Sequence, residues 1–352
     1  MSAIKLYFVT GGDSLISRVI RGGWQLAGGH GPVDRAAAVE DMVAFAEAGI
    51  TTFDCADIYT GVEELIGAFR MAYLNCSGTE ALARIKVHTK LVPDLARLAT
   101  VDKDYIRSIV DTSIHRLRAE RLDLVQFHWW DYDVPRYMDV VGWLNDLRLE
   151  GKIANVSGTN FDSVKTAEIL AAGVPLTSMQ VQYSLLDARP ERHLAKLAMA
   201  NDIWLLCYGT VAGGFLGDRW LGQTEPQEPL ENRSLTKYKL IIDDFGGWDL
   251  FQALLQTLRQ IANRHQTDIA TVASAAMLDR PGVAAVIVGA RNRSHLARNV
   301  AISELRLTEA DLAEIAAIQA QGHTPDGDTY TLERDRHGRH GSIMKYNLNA
   351  ES

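Results

Sequence analysis

Apolar and polar positions along this chain follow a rhythm that switches repeatedly between two periods. Across 34–48, Ala38, Val39, Met42, Val43 and Ala46 share one helical face, and Gly49 ends the segment because glycine tolerates the left-handed conformation past a helix end. Ile50, Thr51, Thr52 and Phe53 follow, β-branched or aromatic, and predict a buried strand. The unit recurs. The spacing predicts helices over 63–74, 104–117, 135–151, 163–172 and 190–200, interleaved with strands over 85–91, 122–129, 153–157, 179–183 and 203–208. Beyond Gly209 the rhythm stops for roughly 35 residues rich in Gly, Pro, Glu and Asn, a length that in a compact domain marks a functional loop. Helices over 250–265 and 269–278, a strand over 284–289 and a helix from Ser294 complete the pattern.

With a first strand over 19–25, eight strands alternate with helical crossovers. Such alternation forces parallel strands, and eight of them close into a (β/α)8 TIM barrel, with long loops at its C-terminal face. An open doubly wound sheet is the rival, but no Gly-x-Gly-x-x-Gly stands at any strand-to-helix turn. No Pro/Gly/Ser-rich linker divides the chain, so residues 1–320 read as one barrel and 321–352 as a polar, aperiodic C-terminal tail.

Composition narrows the partners. The 352 residues are 47 % hydrophobic and 23 % charged, which sets aside disorder, and a net charge of −8 gives no reason to expect nucleic acid. No apolar run approaches the ~18 residues of a membrane span, and the N-terminus lacks signal-peptide architecture. Three widely spaced cysteines, with no C-x-x-C pair, read as reduced thiols of a cytoplasmic protein. The N-x-S/T matches at Asn75, Asn232 and Asn292 then carry no meaning.

In such barrels the chemistry gathers at the C-terminal strand ends. Those ends supply Asp54 and Tyr59, then Lys90, then His128. Taken singly, each residue has an ordinary packing explanation. Together they make chemical sense, because an ammonium beside a phenol lowers its pKa from ~10. Other signals are set aside. The glycines from Gly23 to Gly28, followed by Gly29 and His30, lack the Lys-Ser/Thr of a phosphate loop; Glu63 and Glu64 read as a solvated helix start. Without H-x-H or H-E-x-x-H, no metal site is expected.

The segment GITTFDCADIYTGVEELIG resembles the aldo-keto reductase pattern, and VHTK, LDLVQFHWWD, GKIANVSGTNF, MQVQYSLLD, IWLLCYGTVAGGFL and VIVGARNRSHLARN match it in order over 18–320. HWWD, TNFD and GGWDLFQ are similar to one subgroup. The resemblance implies a carbonyl reductase that takes hydride from NADPH, with NADH as the second candidate, and with Asp54, Tyr59 as general acid, Lys90 and His128 as its tetrad. It places Thr159, Asn160 and Gln180 at the nicotinamide carboxamide and Tyr208 under the ring. Gly209, Val211, Gly213 and Leu216 fall on the pyrophosphate strap, and Gly289, Arg291, His295 and Asn299 at the adenosine end. Trp24, Trp129 and Trp130 fall at the substrate pocket. Arg291, Arg293 and Arg298 point to NADP over NAD, although His295 stands where Gln or Arg is usual. The alternatives are a cofactor-binding regulatory subunit resembling potassium-channel β-subunits, and a barrel isomerase acting on sugar phosphates.

Overall fold

A computed structural model describes residues 7–10, 14–28 and 31–348. Gly29 and His30, at the end of the glycine run, lie outside the described residues. Two short strands, β1 (Tyr7–Thr10) and β2 (Ser14–Ser17), form an antiparallel pair. Eight further strands follow: β3 (Val19–Gly22), β4 (Thr52–Asp54), β5 (Lys86–Leu91), β6 (Leu122–Phe127), β7 (Ile153–Thr159), β8 (Leu176–Gln182), β9 (Trp204–Tyr208) and β10 (Val283–Gly289). They close as β10-β3-β4-β5-β6-β7-β8-β9, with every neighbouring pair parallel. This is the (β/α)8 barrel that the alternation predicts.

The outer layer comprises α1 (Arg35–Glu47), α2 (Val62–Arg84), α3 (Lys103–Arg116), α4 (Tyr137–Leu149), α5 (Ser163–Ala171), α6 (Arg189–Arg192), α7 (Leu194–Ala200), α8 (Arg233–Phe245), α9 (Gly247–Arg264), α10 (Ile269–Leu278), α11 (Leu296–Glu304), α12 (Glu309–Gln319) and α13 (Thr331–Arg334). Side-chain caps start several of them: Asp34 accepts from Ala36 and Ala37 N–H, Asp102 from Tyr105 and Asp268 from Thr271. Their apolar faces pack on the strands in one continuous core from Val19 to Tyr330.

The structure departs from the pattern in four places. The stretch after Gly209 is not one long loop. It contains α8, capped by Asn232 and burying Leu235, Tyr238, Ile241, Ile242 and Phe245 at helical spacing. The helix predicted over 63–74 runs on to Arg84 through an exposed polar turn, broken at Gly78 (φ 83°, ψ 179°). The helix over 190–200 divides at His193, whose φ of −139° is not helical. And the polar segment after 320, for which the sequence shows no element, carries α13 and lines the barrel mouth over 330–348, with Tyr330, Glu333 and His340 buried.

Candidate active site

Strand register assembles the first ring of the site. Asp54 closes β4, Lys90 and Gln126 are direct partners on β5 and β6, and Thr159 and Gln180 are partners on β7 and β8. The Lys90 ammonium donates to Asp54 Oδ2 (2.6 Å) and to the Cys55 carbonyl (3.0 Å). Asp54 Oδ1 accepts from Gln126 Nε2 (2.8 Å) and Gln180 Nε2 (2.6 Å). A carboxylate buried at this depth is costly unless its oxygens are satisfied, and three donors satisfy it. Lys90 Nζ also faces the Tyr59 ring, 5.1 Å from its centroid.

Burial acts in opposite directions on these groups. It pulls the Lys90 pKa down, but Asp54 and Tyr59 outweigh it and the ammonium is held charged. For Tyr59 the balance reverses: burial raises the phenol pKa by more than Lys90 lowers it. The expectation of a net lowered tyrosine is therefore corrected, because desolvation of the phenolate is the larger effect in this cleft. His128 is pushed down to about 3, first by burial and then by the charge of Arg334. Its Nδ1 lies 3.1 Å from the Thr159 carbonyl. A carbonyl only accepts, which assigns the proton to Nδ1 and leaves Nε2 as a bare acceptor, buried without a partner among the described residues. At neutral pH Tyr59 therefore stays protonated, Lys90 charged and His128 neutral.

These residues line a cleft of about 390 Å³ at the C-terminal face of the barrel. It also takes in Trp24, Trp130, Thr159, Asn160, Tyr208, Gly209, Val211, Gly213 and Gly289 of the expected positions. Asn160 adopts φ 61° and its Oδ1 accepts from the Tyr208 hydroxyl (2.9 Å). With Gln180 Nε2 turned to Asp54, the groups left for a ligand are Asn160 Nδ2 and Gln180 Oε1, one donor and one acceptor. That is the complement of a primary carboxamide. Gly209 and Gly213 have left-handed φ of +78° and +64°, and a Cβ on either would lie 2.3 Å or 2.8 Å from the Tyr238 ring system. Tyr238 of α8 takes the space that two absent side chains leave.

Five expected positions lie outside the cleft lining. Trp129 is 0 % exposed and packs behind β6 on Phe127, its Nε1 donating to the Asp131 and Val134 carbonyls. This corrects its assignment to the substrate pocket: adjacent residues of an extended chain point to opposite sides, and Trp130 has the cleft side. Leu216 is likewise core, with its N–H on the Val211 carbonyl. Arg291 donates to the Pro32 carbonyl, His295 is half-buried with its pKa lowered by burial, and Asn299 is buried with an unpartnered Nδ2. Nearby, Arg293 pairs with Asp41 and Glu40, and Arg298 with Asp268. Glu63 is no solvated helix start. It is 1 % exposed, accepts from Thr89 Oγ1 (2.6 Å), and burial raises its pKa.

Two walls of the cleft escaped sequence reasoning. One is the start of α8, with Asn232, Arg233, Ser234, Lys237 and Tyr238; its apolar spacing in LTKYKLIIDDF was available as a signal. Lys237 Nζ lies 5.2 Å from the Tyr208 ring and 5.6 Å from those of Tyr238 and Tyr330, and burial lowers its pKa. The other wall is the C-terminal segment, with Tyr330, Ile343, Met344, Lys345 and Leu348, which no periodicity announces. Tyr330 and Trp130 both meet the His128 ring edge-on (5.5 and 4.3 Å), and Tyr346 backs Trp130 at 5.0 Å.

Comparison with known proteins gives the cleft a context. In sequence, the chain is 25 % identical over 320 residues to the NADH-specific methylglyoxal reductase of Escherichia coli, covering 85 % of this chain and 93 % of that protein. It is 30 % identical over 310 residues to an uncharacterised oxidoreductase of Mycobacterium tuberculosis, covering 86 % and 89 %. In structure, it superimposes on the glycerol dehydrogenase of Gluconobacter oxydans with a TM-score of 0.75 at 22 % identity, covering 93 % of this chain and 98 % of that one. An aldo/keto reductase of Klebsiella pneumoniae in complex with NADP and acetate gives a TM-score of 0.69 at 20 % identity, covering 92 % and 98 %. The Aldo/keto reductase family model matches residues 18–320, the span that runs from the first barrel strand through the last long helix. With the model spanning the whole barrel and the strand-end cluster in place, the chain belongs to the aldo/keto reductase family.

Proposed function

We propose that this protein reduces an aldehyde or ketone to an alcohol, with Tyr59 as the proton donor. The observation that carries the reading is the Tyr59 ring facing a charged Lys90 that donates to Asp54. A nicotinamide cofactor, when bound, supplies the hydride. Asn160 Nδ2 and Gln180 Oε1 would hold its carboxamide, and the Tyr208 ring would lie under it. A carbonyl that accepts hydride develops negative charge on oxygen, and a phenol within hydrogen-bond reach stabilises that charge and then transfers its proton. Lys90 holds positive charge beside the phenolate that remains. His128, neutral, presents Nε2 as an acceptor for the hydroxyl of the alcohol product, not for the carbonyl oxygen, and does not compete as an acid.

Replacing Tyr59 by Phe keeps the ring and removes the hydroxyl. Reduction is expected to fall by at least ~10²-fold, the lower range for a positioned acid, while cofactor affinity stays near wild type. Retention of most activity assigns the proton to another group. Because Tyr59 stays protonated and His128 stays neutral, kcat for reduction is expected to be flat from about pH 5 to pH 8 and to decline only in alkali, as the phenol ionises.

For the cofactor we propose NADP over NAD. Arg293 and Arg298 are engaged by carboxylates, but both guanidinium groups are about half exposed, and solvent screens such pairs so that they hold their partners weakly. A 2′-phosphate offers them a doubly charged, bidentate partner instead. Titration of each dinucleotide by fluorescence quenching decides it: equal or tighter NAD binding overturns the preference. The free thiols Cys55, Cys76 and Cys207 support a cytoplasmic setting, and no helix among the described residues is long and apolar enough to cross a membrane. No observation favours the channel-subunit or isomerase alternatives.

A further inference from the structure

The most deeply buried ion cluster among the described residues contains none of the groups proposed for the chemistry. Arg189 is 1 % exposed and divides its donors between two carboxylates. Nε and Nη2 bind Asp187 (2.9 and 2.7 Å), and Nη1 and Nη2 bind Glu333 (2.9 Å each). Asp187 is tied in turn to β8, because Gln182 Nε2 donates to it (2.7 Å). One end of the cluster is therefore anchored to the strand that carries Gln180. The other end, Glu333, sits in α13, three residues after Tyr330.

Helix α13 has four residues, too few to be stable as a helix on its own. Other contacts must place it: Ser163 N–H donates to Asp328 and Arg192 to the Gly327 carbonyl just before the turn, and the bidentate Arg189–Glu333 pair is the fully buried link within α13 itself. Buried ion pairs contribute little net stability against apolar replacements, but they demand one geometry. The backbone beside the pair is held in a sparsely populated conformation, since Tyr330 has φ 61° without being glycine. That conformation sets the Tyr330 ring edge-on to His128 at 5.5 Å. The same link reaches the second aromatic wall, because the Glu333 carbonyl accepts from the Tyr346 hydroxyl, whose ring backs Trp130. Arg334 closes the turn from the other side, donating to the Trp129 carbonyl (3.0 Å) and stacking over Tyr330.

We propose that Arg189 and Glu333 are positioning residues that hold Tyr330 against His128, so that the turn 330–334 gauges how bulky a carbonyl can reach Tyr59. The inference rests on the carbonyl-reductase reading and adds the element that selects among substrates. Tyr330 is the specificity-determining side chain, and the ion pair acts through it.

The test uses the full chain, with propanal as the small carbonyl and 2-naphthaldehyde as the bulky one. Wild type is compared with Tyr330→Ala, Tyr330→Phe and Glu333→Gln. Tyr330→Ala is expected to raise the kcat/KM ratio of 2-naphthaldehyde to propanal by at least about tenfold, mainly through KM, with dinucleotide Kd changed less than about twofold. Glu333→Gln, which frees the turn, should move the ratio in the same direction by less. Tyr330→Phe keeps the ring and should shift the ratio by less than about threefold. Should Glu333→Gln fail to fold, the Tyr330 pair still decides, because Tyr330 belongs to no ion pair. An unchanged ratio in Tyr330→Ala, or an equal loss on both aldehydes, overturns the inference while leaving the reductase reading intact. Absence of turnover of both aldehydes by the wild type overturns the reductase reading, and this inference with it.

Discussion

The cleft has two kinds of wall. One is made by strand ends: Asp54, Lys90 and Gln180 stand on β4, β5 and β8, Gln126 on β6 joins them from behind, and parallel register brings their hydrogen bonds together. The other is made by pieces of chain laid over the barrel, the start of α8 and the segment from Tyr330 to Leu348. The first wall is dense in charge and amide groups and holds the groups proposed for proton transfer. The second mixes aromatic and aliphatic side chains with Asn232, Arg233, Lys237 and Lys345, and it is tied down both by side-chain pairs such as Arg189–Glu333 and by backbone contacts, as where Arg233 meets the Ile343 carbonyl and Leu95 N–H the Tyr346 carbonyl. Chemistry is fixed by the barrel, and shape is fixed by what lies over it.

The sharpest way to break that division is to attack the strand wall. Lys90→Met removes a donor from Asp54 and the charge beside Tyr59. It leaves a buried carboxylate with only amide partners, a loss of about 3–5 kcal/mol in stability by the measure of broken buried pairs, with reduction abolished. Thermal unfolding and turnover should fall together. If activity survives in a folded Lys90→Met protein, the strand wall does not house the chemistry.

The paired tryptophans sharpen the comparison. Trp129→Ala opens a core cavity and should cost about 3–5 kcal/mol of stability with little change in the ratio of substrates. Trp130→Ala, on the cleft side, should do the opposite: a modest stability loss and altered kcat/KM for bulky carbonyls. Denaturant unfolding and steady-state kinetics on both variants separate the two. Equal effects would put both rings on the same side.

Acid gives the smallest effect. Glu333 is held at about 2, because Arg189 outweighs the burial that opposes it. A carboxylate depressed on folding stabilises the protein above its unfolded value of ~4.3, and that contribution is lost as pH falls toward 2. Segment 328–348 should therefore lose hydrogen-exchange protection across this window. The buried neutral His88, lowered to about 4, adds a barrel-side loss that begins nearer pH 6.5. Loss of the segment's protection already above pH ~4.3, together with the His88 loss, would contradict the assignment of the Glu333 pair to the overlying wall.

The same division explains what the sequence revealed. Strand ends are local: an apolar run that stops at Asp54, Lys90 or His128 shows its polar residue in the right place whatever surrounds it. Trp129 and Trp130 could not be told apart, since a terminal strand residue shows no alternation beyond it. Tyr59 misled because the lysine beside it is visible in sequence and the depth of burial is not. Glu63 misled because a helix start can face inward to Thr89 as readily as outward. The C-terminal wall was invisible for a different reason: Arg189 and Glu333 are 144 residues apart, and nothing periodic connects them.

The position of that wall in the chain has a consequence for synthesis. Strand β10 ends at Gly289, so every barrel strand has been made some forty residues before Tyr330 emerges. A nascent chain with the barrel closed already holds Asp54, Lys90 and Gln180, yet its aromatic gauge has not been translated. Closure of the barrel before residue 330 is made would leave Asp54, Lys90 and Gln180 assembled with the cleft uncovered on that side. A ribosome-stalled chain ending after 320 would be a natural form of the enzyme with its filter missing, ready to compare with the finished one.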